Sequence, residues 1–155
     1  MSALPDPKEI SELFTNLLGK QVTVKGGAPA ADAKGGTLAV YSDDAGAVGA
    51  VAVSDLPLAS NAGAALSMIP AGMAEESIKA GALAENLADN WHEVLNVASQ
   101  LFNCGAGHRV KLADIHPASD PPAAAAGLLG APGGRLDLEV AIAGYGSGTL
   151  SLLVA

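Results

Sequence analysis

The stretch RLDLEVAIAGYGSGTLSLLVA, residues 135–155, has the pattern of two β-strands joined by a tight turn. Apolar and polar side chains alternate through residues 135–143, as they do in a strand with one buried face. Residues 149–155, TLSLLVA, are a second run of strand-forming residues. GYGSG at 144–148 lies between the two runs and has the glycine-rich composition of a hairpin turn. The sequence therefore predicts an antiparallel hairpin here.

Four more strands are predicted upstream of this hairpin. TLAVY at 37–41 and AVGAVAV at 47–53 flank the polar tip SDDA and so form a second hairpin. QVTVK at 21–25 alternates as a half-buried strand does, and RVKLADI at 109–115 is predicted as another strand. Strands thus follow one another in both halves of the sequence, which favours antiparallel pairing.

Helices are predicted in two parts of the sequence. The first begins at Pro7, because Asp6 can cap its N-terminus and apolar residues then recur at helical spacing. A short second helix is predicted over 58–69. Residues 74–103 can hold helix almost throughout, with a break near Gly81.

The predicted order of elements is one helix, three strands, two helices and three strands, which indicates a single α+β domain over residues 1–155. We expect a curved, mainly antiparallel sheet packed against two or three helices. The Pro-, Ala- and Gly-rich segment near 117–134 is predicted as a long surface loop with room for one helical turn. The C-terminal strand is expected at an edge of the sheet, where it could pair with a second copy in a homodimer.

The composition argues against several classes of partner. The formal net charge is −8 and the eight Lys and Arg residues are spread along the chain, so we expect no binding to nucleic acid or to anionic membranes. No stretch reaches the roughly 18 unbroken apolar residues of a membrane span, and the N-terminus lacks the pattern of a signal peptide. A cytoplasmic location is therefore expected.

The cysteine and histidine spacing predicts no metal site. Cys104 is the only cysteine, which excludes an internal disulfide and cysteine zinc sites, and we expect it to be a small, at least half-buried residue. His108 and His116 are roughly 26 Å apart along a predicted strand, which is too far to share a metal. GYGSG lacks the lysine and the following helix of a phosphate-binding loop.

The helix at about 83–102 has one apolar and one polar face. Trp91 falls in the apolar arc and is predicted as a core anchor. Glu93 and Asn96 fall on the polar face, about 60° apart and roughly one turn along the axis, so that both can contact one external group. A polar face of this kind is most often plain solvated surface. This one is rich in amides, which are mediocre helix formers, and their number suggests hydrogen bonding to other groups.

The helix carries the sequence E-V-L-N at 93–96, with Asp89 one turn earlier. A predicted strand and short helix, VAVSDLPLASNAGAALSMI, come before it, and the hairpin at 135–155 comes after it. These features together resemble the CheC/CheX-like family of chemotaxis phosphatases. The resemblance in element order spans nearly the whole chain. E-x-x-N is a two-residue motif, and its place on this helix makes it informative.

In that family, the E-x-x-N helix docks against a phosphorylated response regulator of the CheY type. The resemblance implies that Glu93 engages the active-site lysine of the regulator and that Asn96 orients a water for attack on the aspartyl phosphate. Asp89, His92 and Gln100 would then contact the partner. No cofactor is implied for this chain, because the regulator brings its own divalent cation.

The motif occurs once in the sequence. On the first helix, Glu12 is followed three residues later by Thr15, and Asn16 comes one position too late. A single copy is typical of CheX-type and stand-alone members of the family. Two other functions stay open: a non-enzymatic interaction domain of the same fold, like the related flagellar switch proteins, and a domain that binds a small ligand between sheet and helices.

Overall fold

A computed structural model of the protein describes residues 4–29, 35–103 and 109–155. Over these residues the chain forms six strands, which are β1 (Val22–Gly26), β2 (Thr37–Ser42), β3 (Val48–Ser54), β4 (Lys111–Pro117), β5 (Gly134–Ile142) and β6 (Gly146–Val154). Five α-helices accompany them, which are α1 (Pro7–Leu18), α2 (Leu56–Leu66), α3 (Ala71–Ala80), α4 (Glu85–Ala98) and α5 (Ala123–Gly130). A short 3-10 helix, Ser99–Phe102, continues α4.

The six strands form one antiparallel sheet in the order β1-β5-β6-β3-β2-β4. β2 pairs with β3 and β5 pairs with β6, so both predicted hairpins are confirmed. The predicted fold class, an α+β domain with an antiparallel sheet packed against helices, is confirmed as well. The first helix begins at Pro7 as expected, and the Asp6 carboxylate accepts the Glu9 N–H at its N-terminus.

The C-terminal strand is not an edge strand, which corrects the expectation of a homodimer formed through it. β6 pairs with β5 on one side and with β3 on the other, and the edges of the sheet are β1 and β4. Leu150, Leu152, Leu153 and Val154 are all buried, because layers of side chains cover both faces of the strand. A continuous apolar run of this kind is typical of a central strand.

The main core lies between one face of the sheet and helices α1, α2 and α4. Small aliphatic side chains make up most of it, and the largest fully buried members are Trp91, Tyr41 and Phe14. Nearly every residue of α2 is buried, because this helix lies between the sheet and α4. A helix in that position needs small side chains, and the sequence SNAGAA supplies them.

Asp55 fixes the start of α2 and joins it to the sheet. One carboxylate oxygen accepts the Leu58 N–H at 2.9 Å, and the other accepts the backbone N–H and the hydroxyl of Thr149 at 3.0 and 2.9 Å. The helix therefore begins two residues before the predicted start at residue 58 and ends at Leu66. Capping by a side chain that also bonds a strand holds α2 firmly against β6.

The opposite face of the sheet is partly covered by α5. Ala125 and Leu128 pack over Leu38, Val53 and neighbouring apolar side chains of the sheet. The segment near 117–134, predicted as a loop with room for one turn, thus contains an eight-residue helix. Its formation follows from this second apolar face, which a loop alone would leave exposed.

The long helical segment predicted over 74–103 consists of α3, α4 and the 3-10 helix. It is interrupted at Gly81, whose φ of 73° ends α3 in the left-handed conformation, and the predicted break is thus confirmed. The predictions for Cys104 and His108 lie outside the described residues. Within those residues, no helix has both the length and the apolar character needed to cross a bilayer.

Candidate functional site

Glu93 and Asn96 project from the outer side of α4. Both side chains are exposed, whereas Trp91, Val94 and Leu95 on the inner side are buried. Three residues of helix separate the two by about 4.5 Å along the axis, so that their polar groups lie on one turn. Asp89, His92 and Gln100, predicted as partner-binding residues, are exposed as well. The two polar side chains of the motif are thus exposed together on one helical face.

Hydrogen bonds from the inner side of α4 fix the orientation of this face. The indole N–H of Trp91 donates to the Thr37 hydroxyl on β2 at 2.9 Å, and the prediction of Trp91 as a core anchor is confirmed. The Asn90 amide donates to the Gly63 carbonyl of α2 at 2.8 Å. Because both bonds join α4 to other elements, the helix cannot rotate about its axis without breaking them.

Tyr41 holds the turn of α4 that carries Asn96. Its hydroxyl donates to the Leu95 backbone carbonyl at 2.6 Å, and its ring lies against Phe102. The backbone tightens into the 3-10 helix just beyond this point, where the Ser99 N–H bonds the carbonyls of Asn96 and Val97. The Leu95 carbonyl is thus satisfied by a side chain from the sheet. Burial raises the pKa of Tyr41 above its usual value near 10.

Removing this hydroxyl should weaken the support of α4. We expect Tyr41→Phe to lower the free energy of unfolding by about 1–2 kcal/mol at neutral pH, because a buried carbonyl loses its partner. Because the pKa of Tyr41 is raised in the folded state, its hydroxyl contributes fully to the free energy of unfolding below about pH 10. Above that pH the unfolded chain loses the phenolic proton before the folded chain does, so the contribution decreases. The difference between wild type and variant should therefore narrow above about pH 10.

Urea denaturation across this pH range measures the effect. Tyr145→Phe is the matched control, because it removes a half-buried hydroxyl that bonds the Ile69 carbonyl at 2.8 Å and not a carbonyl of α4. Equal stability of Tyr41→Phe and wild type at neutral pH would contradict the assigned role.

The amides of the segment divide into structural and exposed members. Asn90 bonds Gly63, and Asn103 bonds the backbone of Ser99 and Val110. Those two amides are therefore explained by the fold itself. Asn86 and Asn96 are exposed, and in the described part of the chain their side chains form no hydrogen bond. Asn86 and Asn96 are therefore the amides that the fold itself does not explain, and Asn96 lies on the same face as Glu93.

Two cavities flank the C-terminal end of α4. One, of about 480 Å³, lies between α1 and α4 and includes Glu9 and Glu12 on its rim. The other, of about 330 Å³, contains the exposed cations Arg109 and Lys111. Gln100 lines both cavities and so stands on the ridge between them. Sequence reasoning missed the cavities because each is formed by segments remote from one another in the chain.

The sequence analysis also considered a second copy of the motif on α1 and a histidine metal site. Thr15 accepts the Val22 N–H at 3.1 Å and so serves the packing of α1 on β1, while Asn16 is exposed beside the first cavity. His116 lies on β4 within 3.3 Å of Asp114. Across the described ranges, no three His, Cys, Asp or Glu side chains are grouped so that they could hold a metal ion.

Comparison with known proteins shows the fold. No model of a protein family matches the chain, and no curated protein matches its sequence. The FliM–SpeE complex from H. pylori contains a chain of similar structure, with a TM-score of 0.61 and 8% identity. The match covers 96% of the present chain and 80% of the matched chain. FliY from Thermotoga maritima has a TM-score of 0.53 and 14% identity over 96% of this chain and 89% of its own.

A third similar structure is the CheX–CheY–BeF3–Mg complex from Borrelia burgdorferi. Its TM-score is 0.46 at 13% identity, over 96% of this chain and 97% of that chain, and a likeness this weak carries no argument. The similarities to FliM and FliY identify the fold of this chain. Identities this low say nothing about which activity the fold carries.

Proposed function

We propose that this protein hydrolyses the aspartyl phosphate of a CheY-type response regulator, in cytoplasmic chemotaxis or two-component signalling. The observation that carries the proposal is the exposed Glu93–Asn96 pair on a helix whose orientation is fixed from inside by Trp91, Tyr41 and Asn90. The resemblance of the sequence to the CheC/CheX-like family in element order also supports it, and the fold shared with FliM and FliY is compatible with it.

In the proposed reaction, Asn96 positions the nucleophile. Its carboxamide oxygen accepts a hydrogen from a water, and its NH2 group donates to a phosphoryl oxygen. The water oxygen bonds to phosphorus as the bond from phosphorus to the aspartyl oxygen breaks. The regulator recovers its carboxylate, and the protons of the water pass to inorganic phosphate and solvent. An acyl phosphate is reactive enough that correct placement of a water supplies most of the required acceleration.

Glu93 has a docking role in this proposal. A carboxylate one turn before Asn96 can pair with a lysine beside the phosphoryl group of the regulator, which sets the distance between Asn96 and phosphorus. The divalent cation belongs to the regulator and acts there. Arg109 and Lys111 share a cavity with Gln100 and in this proposal would meet acidic groups of the partner around its phosphorylation site.

A second function is a non-enzymatic interaction domain of the same fold. One observation favours it: the FliM structure that resembles this chain was solved in complex with another protein, SpeE. In this case the outer face of α4 would bind a partner without hydrolysis. The two functions differ in one measurable respect, since only the first increases the rate at which the regulator loses its phosphoryl group.

Glu93→Gln tests the proposal. We expect the substitution to raise KM for the phosphorylated regulator about tenfold with a smaller change in kcat, because it removes a charge pair used for docking. Phosphate release over a range of regulator concentrations measures both constants. Glu85→Gln is the control, because Glu85 is also exposed and lies at the other end of α4. An unchanged KM would contradict the docking role, and no phosphate release with wild type would favour the interaction domain.

A further inference from the structure

The cavity between α1 and the end of α4, called here the α1–α4 groove, has an apolar floor. The floor is formed by Leu13, Leu17, Val97 and Leu101. Leu101 is buried, but the other three side chains are only half-buried. Aliphatic surface therefore remains in contact with water, and covering it would be favourable by about 25 cal/mol for each Å² removed from solvent.

The groove exists because its two walls pack on different parts of the core. α1 packs mainly on β1, whereas α4 packs mainly on α2. The side chains of Leu13 and Leu17 reach the core with one side and line the groove with the other. Two helices held apart in this way leave an apolar groove between them, which is the kind of surface that binds the apolar face of an amphipathic helix.

The rim of the groove is acidic. Glu9 and Glu12 are exposed along its α1 side, with Asn16 and Gln100 as uncharged polar neighbours. Among the residues that the structure describes, no lysine, arginine or histidine lines the groove. Within the described residues, neither Glu9 nor Glu12 forms an ion pair. The acidic rim adds to the net charge of −8 of the whole chain.

We propose that the α1–α4 groove docks an amphipathic helix of a partner protein, with aliphatic side chains on the floor and lysine or arginine against Glu9 and Glu12. Charge complementarity selects a basic helix over an acidic one, and the floor selects an amphipathic helix over a merely basic segment. Val97 and Gln100 come within one helical turn of Asn96, so the docked helix would lie beside the Glu93–Asn96 pair. The binding does not depend on hydrolysis at that pair.

Fluorescence anisotropy with three labelled peptides of about 18 residues tests the proposal. The first has leucine and lysine in amphipathic helical order, the second replaces lysine with glutamate, and the third replaces leucine with serine. We expect the wild-type protein to bind the first peptide and to bind the other two at least about tenfold more weakly. Equal affinity for the lysine–leucine and lysine–serine peptides would overturn the proposal, because non-specific charge attraction would then suffice.

Protein variants locate the binding. Glu9→Gln combined with Glu12→Gln should weaken binding of the leucine–lysine peptide about tenfold, which corresponds to ~1.4 kcal/mol. Glu75→Gln combined with Glu76→Gln is the matched control on α3, since it changes the net charge equally at exposed positions away from the groove. Equal weakening by both double variants would overturn the proposal.

Val97→Arg is a second variant, which tests the apolar floor of the groove and leaves Glu9 and Glu12 unchanged. An arginine there fills the groove and reduces its negative charge, so binding of the leucine–lysine peptide should fall at least about tenfold. Circular dichroism establishes that the variant is folded. Unchanged peptide affinity in the folded variant would overturn the proposal. Sedimentation of the wild type as a dimer that dissociates in Val97→Arg would overturn it too, since a second copy would then be the occupant.

Discussion

Asn96→Ala should abolish most of the proposed phosphatase activity while leaving the partner bound. We expect the accelerated loss of phosphate from the regulator to fall at least about 100-fold, because alanine can neither accept a hydrogen from the water nor donate to the phosphoryl oxygen. Affinity should change little, since docking is assigned to Glu93 and its neighbours. The substitution lies on an exposed helical position, where alanine also favours the helix, so that the fold should persist.

Two measurements check this result. Decay of the phosphorylated regulator gives the activity, and binding to the beryllofluoride-activated regulator, which does not turn over, gives the affinity. Asn86→Ala is the matched control, because it removes an exposed amide from the same helix about 15 Å along the axis from Asn96. Equal activity of Asn96→Ala and wild type would show that the amide does not position the nucleophile. A parallel loss of binding would assign Asn96 to docking instead.

Gly63→Ala should destabilise the protein, although it replaces glycine inside a helix. A Cβ at this position would lie 2.5 Å from the Leu87 carbonyl oxygen of α4. Because that oxygen belongs to backbone, α4 must move as a unit, and the Asn90 bond to the Gly63 carbonyl is disturbed as well. Alanine gains about 1 kcal/mol from helix propensity. The overpacking and the disturbed bond outweigh this gain, and we expect a net loss of about 2 kcal/mol.

Gly72→Ala is the control for this prediction. Gly72 lies in α3, and a Cβ there has no neighbour within 4 Å, so the change should stabilise the protein by about 0.5–1 kcal/mol. Urea denaturation followed by circular dichroism measures both variants. If Gly63→Ala were as stable as wild type, α2 and α4 would not be packed as closely as described. Since α4 carries the Glu93–Asn96 pair, a Gly63→Ala variant that folds with α4 displaced should also lose activity.

The positions of Glu93 and Asn96 on one exposed face could be predicted from sequence because helical periodicity depends only on local spacing. Trp91, Leu95 and their neighbours define the buried arc, and whatever lies opposite must face solvent. The two hairpins were predictable for a similar reason, since their strands are adjacent in the chain.

Features that depend on distant segments were not predictable in this way. β6 has a central place in the sheet because it pairs with β3, nearly a hundred residues earlier in the chain. The helix α5 forms over an apolar face contributed by three strands, and its own alanine-rich sequence carries little periodic signal. The close approach of Gly63 to Leu87 and the α1–α4 groove likewise arise only when separate helices are packed together.

The most direct test of the proposed function is the decay of a phosphorylated CheY-type regulator in the presence and absence of the wild-type protein. The protein concentration should be one at which binding to the beryllofluoride-activated form is saturated. The proposed chemistry predicts at least about tenfold faster decay with the protein present. Decay at the intrinsic rate of the regulator, with binding shown to be complete, would contradict the assignment of Glu93 and Asn96 as acting residues.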